Sequence, residues 1–303
     1  MTHAARDAGR APSRPLVDWP RITLITPSFN QGQFLEQTIR SVLDQNYPNL
    51  EYIVVDGGST DGSVEVIRKY AGRLAYWASE PDGGHADALN KGFARATGEI
   101  LGWLNSDDLL CPWALHTAAR IFSDVPEAAW LTTTTPLRWN AEGHATLAYH
   151  LAGFSRTWFY RGWHLGSRRG FRGYIQQEST FWRRSLWHQA GARLDPQAQP
   201  AIDFELWARF FQHADLVTTT SPLGGFRQHG AQQTADMTAY HAAAEAVLAR
   251  YRGRTVHNPA LVALLHGLLR LTGRGGQRFG SRLARVEYDP LANRWRHVYA
   301  YAI

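Results

Sequence analysis

Cysteine is almost absent from this chain: Cys111 is the one thiol in 303 residues. It can form no internal disulfide and cannot build a cysteine-rich zinc site, so a reducing, cytoplasmic compartment is the expectation. Long apolar runs are missing as well. The most apolar stretch, residues 260–271, is interrupted by His266 and Arg270 and falls short of the roughly 20 residues a spanning helix needs. Residues 1–20 carry Arg6, Arg10 and Arg14 but no apolar core of the kind a signal peptide has, and are expected to form a mobile leader. Acidic residues thin out towards the end. From Tyr240 onward ten Arg stand against Glu245, Glu287 and Asp289, while the whole chain carries only +6. Such asymmetry fits an anionic partner, either nucleic acid or the inner face of a membrane, as well as a plain solvated tail.

What is present is an ordinary globular composition, 44% hydrophobic and 19% charged, in a length that one extended domain can use. From Arg21 onward short β-branched runs alternate with helical patterns, which predicts βαβ units and a mainly parallel sheet. Strands are expected at 22–26, 52–55, 74–78 and 100–104. Helices are expected at 34–45, where Leu35, Ile39, Val42 and Leu43 share a face, at 64–70, and from Ala86 to Ala96, with Gly98 placed to stop the last. Residues 147–174 are rich in Trp, Tyr, Arg and Gly without a period, and are expected to form a partly mobile loop on the acceptor side. Further strands are expected at 179–182, 216–219 and 223–227, with a helix from about Asp203 that buries Phe204, Trp207, Ala208 and Phe211. Helices at 239–251 and 259–271 complete a helical appendage. The domain reading is a leader over 1–20, an α/β domain over 21–235 divided near 110, and a basic helical extension over 236–303.

Several polar residues fall at the carboxyl ends of the predicted strands, where open α/β sheets bind ligands. Thr26, Pro27, Ser28 and Asn30 follow the first strand. Asp56 ends the second and can accept from a base N–H or a ribose hydroxyl, although an Asp-Gly pair there is often only a turn. Asp107 and Asp108 follow the fourth strand and suit a hard divalent ion bridging to phosphate; beginning a helix is the competing use. His229 can offer an imidazole to that ion or to a diphosphate. Asp203, near a helix start, is the candidate general base, with Glu205 competing and a helix cap as the plain alternative.

The segments Ile25-Thr26-Pro27-Ser28-Phe29-Asn30-Gln31, Ser41 to Pro48, Val55-Asp56-Gly57-Gly58-Ser59-Thr60-Asp61-Gly62 and Trp103-Leu104-Asn105-Ser106-Asp107-Asp108 together resemble, in order and spacing, the family-2 glycosyltransferases. Glu80 to Gly92 resembles the helix those enzymes place at the donor site. The likeness is dense from Arg21 to about Phe122, thinner to Thr234 and absent beyond. It implies the GT-A fold, a Rossmann-like, mainly parallel mixed sheet flanked by helices, and an inverting transfer of a sugar from a nucleotide diphosphate donor, UDP being commonest. The implied role is in cell-surface polysaccharide or glycolipid synthesis.

Carried over residue by residue, the resemblance places Pro27 and Asp56 against the nucleoside and Asp82 on the donor. Thr26, Ser28, Asn30, Gly58, Lys91, Asn105 and Ser106 join them in the donor site. Asp107 and Asp108 occupy the DXD position for Mn²⁺ or Mg²⁺, His229 matches the histidine near the diphosphate, and Asp203 matches the acidic pair that contains the catalytic base. Two departures stand out: Asn105 begins the DXD segment, and Ile202 replaces the acid usually found before Asp203. They leave a non-catalytic nucleotide-sugar-binding relative as the alternative. The implied partners are a nucleotide-sugar donor and a saccharide or lipid-linked acceptor, with membrane contact through the C-terminal extension. No RNA-binding motif accompanies the aromatic and Arg residues, so nucleic acid is not the expected partner.

Overall fold

The computed structural model describes residues 18–230, 237–251 and 281–302. Its first half runs β1 (Ile22–Ser28), α1 (Gly32–Leu43), β2 (Leu50–Asp56), α2 (Ser63–Tyr70), β3 (Tyr76–Ser79), α3 (His85–Phe93), β4 (Ile100–Trp103) and β5 (Leu109–Leu110). There follow α4 (Ala114–Asp124), β6 (Trp130–Thr133), β7 (Leu137–Trp139), β8 (Ala145–Ala148), α5 (Arg156–Tyr160), β9 (Phe181–Arg183), α6 (Arg184–Gln189), α7 (Ile202–His213), β10 (Val217–Thr219) and β11 (Gly224–Arg227). The last described elements are α8 (Met237–Tyr251), β12 (Ser281–Asp289) and β13 (Arg294–Ala302).

A nine-stranded sheet in the order β13-β12-β10-β6-β9-β4-β1-β2-β3 forms the frame. β1 pairs in parallel with both β2 and β4, and β9 is antiparallel to its two neighbours β4 and β6. A second sheet, β5-β11-β7-β8, stands beside it. Side chains alternate across the first, as a pleated strand requires. Leu24, Tyr52, Val54 and Ile100 face the layer that holds α1 and α4, whereas Ile25, Ile53, Val55 and Leu101 face the layer of α3 and α7. Both faces are therefore dry, which explains why the central strands read as nearly continuous apolar runs. α3 lies close on β1: a Cβ at Gly92 would approach Ile25 Cγ2 to 2.7 Å, so only glycine fits there.

The aromatic middle of the chain is core. Phe154, Trp158, Phe159 and Leu165 are each at most 1% exposed, so the expected mobile loop over 147–174 is corrected to a packed segment. Trp207 of α7 is the hub of a neighbouring cluster, with ring centroids 6.0 Å from Trp103, 5.4 Å from Trp130 and 5.9 Å from Trp182. The core that uses these rings is assembled from short elements of different strands and helices, and no single period announces it.

The C-terminal expectation divides three ways. The helix over 239–251 is α8, the helix over 259–271 lies outside the described residues, and 281–302 is not helical. β12 and β13 form an antiparallel hairpin that joins the sheet edge beside β10. Leu283, Ala284 and Val286 are buried there, and the turn uses Asn293 in the left-handed region, φ +50°. The arginines concealed a strand pattern, Arg-Trp-Arg-His-Val-Tyr-Ala-Tyr-Ala, that aromatic and β-branched content favours. Among the described residues no helix is long and apolar enough to cross a membrane.

Candidate functional site

β1, β2, β3 and β4 all end on one edge, and the loops that leave them build the site. Asp56, the last residue of β2, is fully buried. Its Oδ2 accepts from the backbone N–H of Gly58 (3.1 Å) and Ser59 (2.9 Å) and from the Ser79 hydroxyl (2.7 Å), and its Oδ1 accepts from the Ser59 hydroxyl (2.5 Å). Asp56 thus shapes the turn 57–60 and ties it to β3. Gly58 takes φ +82°, which a side chain would resist. Asn30 docks the loop after β1 on this turn: its backbone N–H donates to Ser59 Oγ (2.8 Å) and its Oδ1 accepts from the Thr60 N–H (2.9 Å). Ser28 and Pro27 end β1 beside Asp56 and Val55.

Two residues expected at the donor site have partners within the protein. Thr26 lies on the same sheet face as Leu24 and is buried against the Tyr52 hydroxyl, 2.9 Å away; strand alternation points it inward. Lys91 is in the last turn of α3, away from that helix's start, and pairs with Glu80 at 3.2 Å and Asp87 at 3.4 Å.

The start of α3 faces the loop after β4. Asp82 accepts from the Gly84 N–H at 2.7 Å, and His85 Nε2 lies 3.1 Å from Asn105 Oδ1. Burial lowers the His85 pKa, against the pull of Asn105, Asp107 and Asp82. Asp107 Oδ2 is 3.1 Å from His229 Nε2, and the imidazole is held against the Phe34 ring at 4.3 Å between centroids. A carboxylate and an imidazole from distant segments therefore converge beside Asn105, with the Ser106 carbonyl anchored by the Thr38 hydroxyl at 2.8 Å.

Asp108, expected as a second metal ligand, is engaged in the protein itself. Its Oδ1 accepts from the Arg227 backbone N–H at 2.9 Å and its Oδ2 from Asn105 Nδ2 at 3.3 Å. Burial, then Asp107 and Glu178, raises its pKa well above the usual carboxylate range, so it is a clamp between the β4–β5 loop and β11. Among the described residues no three His, Cys, Asp or Glu side chains gather as a metal site. Asp107 and His229 are the two side chains here that could hold a divalent ion, and such an ion would need oxygen donors from its substrate and from water to complete its ligands.

α7 presents Asp203 in its first turn. The residue before the helix is Ala201, without a side-chain cap, so Asp203 is not placed as the cap. Burial raises its pKa to about 6, opposed by the backbone N–H of Phe204 and by the Tyr240 hydroxyl. The competing carboxylate, Glu205, is 2% exposed and bound to Arg209 at 2.7 Å and to the Tyr251 hydroxyl at 3.0 Å. It is committed to packing α7, α8 and the Arg209 side chain.

Three residues of the site were not anticipated. Tyr240 lay in a helix read as an appendage. Arg227 is a fully buried cation whose guanidinium lies over the Phe34 ring at 4.9 Å and donates to Gln37 Oε1 at 2.8 Å; its neighbour two residues on, His229, was the available signal. Glu178 sits in a single turn with no periodic signature at all.

Residues 23–134 match the family model described as Glycosyl transferase family 2. Over 90 residues the chain is 46% identical to an uncharacterized glycosyltransferase of Mycobacterium tuberculosis, covering 29% of this chain and 34% of that one. Over 97 residues it is 39% identical to Bacillus subtilis TuaG, whose name places it in teichuronic acid biosynthesis, covering 31% and 38%. The aligned part is thus about a third of the length of these relatives. In fold, the chain is similar to S. aureus TarS solved with UDP, at a TM-score of 0.56 and 16% identity over 79% of this chain and 68% of that one. The TarS structure with UDP-GlcNAc gives 0.55 and 15%, over 77% and 72%.

Proposed function

We propose that this chain, whose residues 23–134 match the family-2 glycosyltransferase model and whose fold is similar to TarS, transfers a sugar, by inversion, from a nucleoside diphosphate donor to an acceptor hydroxyl. A UDP-sugar donor is our reading, as is an acceptor in cell-surface polysaccharide or glycolipid synthesis. The observation that carries the proposal is the pair of opposed stations on one sheet edge: Asp107 with His229 at 3.1 Å on the donor side, and Asp203, with its pKa near 6, on the other.

In this reading the loops ordered by Asp56 and Asn30 hold the nucleoside, and Asp82 with the start of α3 faces the donor. Helix N-termini favour anionic groups. Asp203, charged at neutral pH and still basic enough to take a proton, removes the acceptor's hydroxyl proton as that oxygen attacks the anomeric carbon. The bond from that carbon to the diphosphate oxygen breaks on the opposite face, and the proton remains on Asp203 until solvent takes it. No covalent sugar–enzyme intermediate is required. A divalent ion held by Asp107 and His229 would neutralise the charge that develops on the leaving diphosphate.

The test is incubation of the protein with a panel of nucleotide sugars and Mn²⁺, measuring released nucleoside diphosphate and glycosylated product. Selective turnover that Asp203→Asn abolishes is expected. Turnover of none of the donors, with nucleoside diphosphate still bound, would instead favour a nucleotide-sugar-binding protein without transfer.

A further inference from the structure

Glu178 takes no part in the chemistry above. It lies in the single helical turn Gln177–Ser179 just ahead of β9, is 4% exposed, and has an Oε1 that is buried with no hydrogen-bond partner among the described residues. The turn that carries it is fixed from both sides. Gln177 Nε2 donates to the Trp103 carbonyl at 2.6 Å, and a Cβ at Gly224 would come within 2.7 Å of the Glu178 carbonyl oxygen, so β11 presses directly on the turn. The adjoining Gln176 Nε2 donates to the Tyr149 hydroxyl at 3.2 Å.

The charged groups that interact with the Glu178 carboxyl are Asp203, Arg138, Asp107 and the buried Asp108. Burial first, then Asp203 and Asp107, pushes its pKa up to about 7, with its own backbone N–H and Arg138 opposing. The turn that carries Glu178 is seated on the carbonyl of Trp103, the last residue of β4 and four residues before Asp107, and against Gly224 of β11, the strand that leads to His229. A sugar carried on a diphosphate beside Asp107 would lie next to this turn. A buried carboxyl oxygen without a partner is costly in a folded protein unless a ligand completes it. A sugar offers hydroxyl donors at the spacing of its ring carbons.

We propose that Glu178 is a substrate-contacting residue whose carboxyl accepts a hydrogen bond from a ring hydroxyl of the transferred sugar, and so selects which sugar is accepted. This rests on the transferase reading above. A site built to bond a substrate hydroxyl discriminates strongly against sugars that lack it or present it in the other orientation.

The experiment compares wild type with Glu178→Gln and Glu178→Asp. Calorimetric binding of UDP alone is set against binding of UDP-glucose, UDP-galactose and UDP-N-acetylglucosamine, and transfer kinetics and melting curves are recorded on the same samples. Glu178→Gln should bind UDP as wild type does, lose about 10- to 100-fold of the affinity that the preferred sugar adds over UDP, and lose its ranking among the three sugars. Glu178→Asp should be intermediate. A folded Glu178→Gln protein that keeps the sugar-dependent affinity and the ranking overturns the proposal and leaves Glu178 a buried structural residue. Failure of wild type to bind UDP or any of the three UDP-sugars overturns the UDP-sugar reading itself, and this inference falls with it.

Discussion

The hydroxyl of Tyr240 stands 3.3 Å from each carboxylate oxygen of Asp203, so the first described turns of α8 reach across to the first turn of α7. That hydroxyl bonds the charged form of Asp203 and lowers its pKa against the larger effect of burial. Tyr240→Phe removes the donor and lets the carboxyl rise further above about 6. The acid limb of kcat/KM should therefore move to higher pH by up to about one unit, since a hydrogen bond to a charged group contributes on the order of 1.5 kcal/mol. The pH-rate profiles of the two proteins give the answer; an acid limb that stays put or moves down would separate Tyr240 from the base.

The same carboxyl bears on stability. The Asp203 pKa goes from an ordinary 3.8 to about 6 in the fold, so between those values the native state holds a proton that the unfolded chain has released. Stability should fall as pH rises through that window, and the full penalty should be present above it. Glu178 acts in the same direction from 4.5 to about 7. Asp203→Asn carries no charge to desolvate and should melt above wild type at about pH 8, by up to about 3 kcal/mol. The gap should close below about pH 4. A gap of the same size at both pH values would mean that the difference is packing alone. Together with a fall in turnover on the order of 10² to 10⁴, the gain would mark Asp203 as a residue kept for function at a cost to the fold.

How far the sequence reveals this site depends on the range of the contacts involved. β1, β2, β4, α1, α3 and α7 each announce themselves by alternation or helical spacing, because each buries a face against the same sheet. The carboxyl-edge position of Asp56, Asp107 and Asp203 follows from that order. Asp107 and Asp108 are adjacent letters with opposite fates, and only the β11 backbone, brought up by the second sheet, decides that Asp108 turns inward to the Arg227 N–H. The partners that Thr26 and Lys91 take within the protein follow from local features that were readable: strand parity for the first, and a place in the last turn of α3 for the second. Glu178 and Tyr240 were not readable, since their roles arise from long-range placement beside Asp203.

Chelation tests the donor station. With Asp107 and His229 as the protein donors, an EDTA-treated protein should lose transfer and recover it with added Mn²⁺ or Mg²⁺. Asp107→Asn should raise the ion concentration needed for half-maximal activity by at least about tenfold, and His229→Ala should do so more weakly, because the carboxylate is the harder donor. Asp108→Ala should instead lower the melting temperature, because it removes the acceptor of the Arg227 N–H that clamps β11. Full transfer in EDTA would refute the ion's role, and a metal requirement that moves with Asp108 rather than Asp107 would reverse their assignments.

Glu205 provides the control for the base. It is two residues from Asp203 on the same helix, yet its carboxylate receives Arg209 Nε at 3.0 Å on both oxygens and the Tyr251 hydroxyl at 3.0 Å, and Arg209 also donates to the Arg193 carbonyl at 2.7 Å. Removing one partner of a buried ion pair leaves the other uncompensated, at a cost of about 3 to 5 kcal/mol. Glu205→Gln should accordingly lower the thermal midpoint and weaken the docking of α8 through Tyr251, while the fraction that remains folded keeps near wild-type turnover per active site. Asp203→Asn should show the opposite pair of effects, a higher midpoint at alkaline pH and lost turnover. Active-site titration with bound nucleoside diphosphate, combined with melting curves, measures both at once. An inactive but stably folded Glu205→Gln protein, beside an active Asp203→Asn, would transfer the base to Glu205 and require α7 to rotate its first turn towards the acceptor.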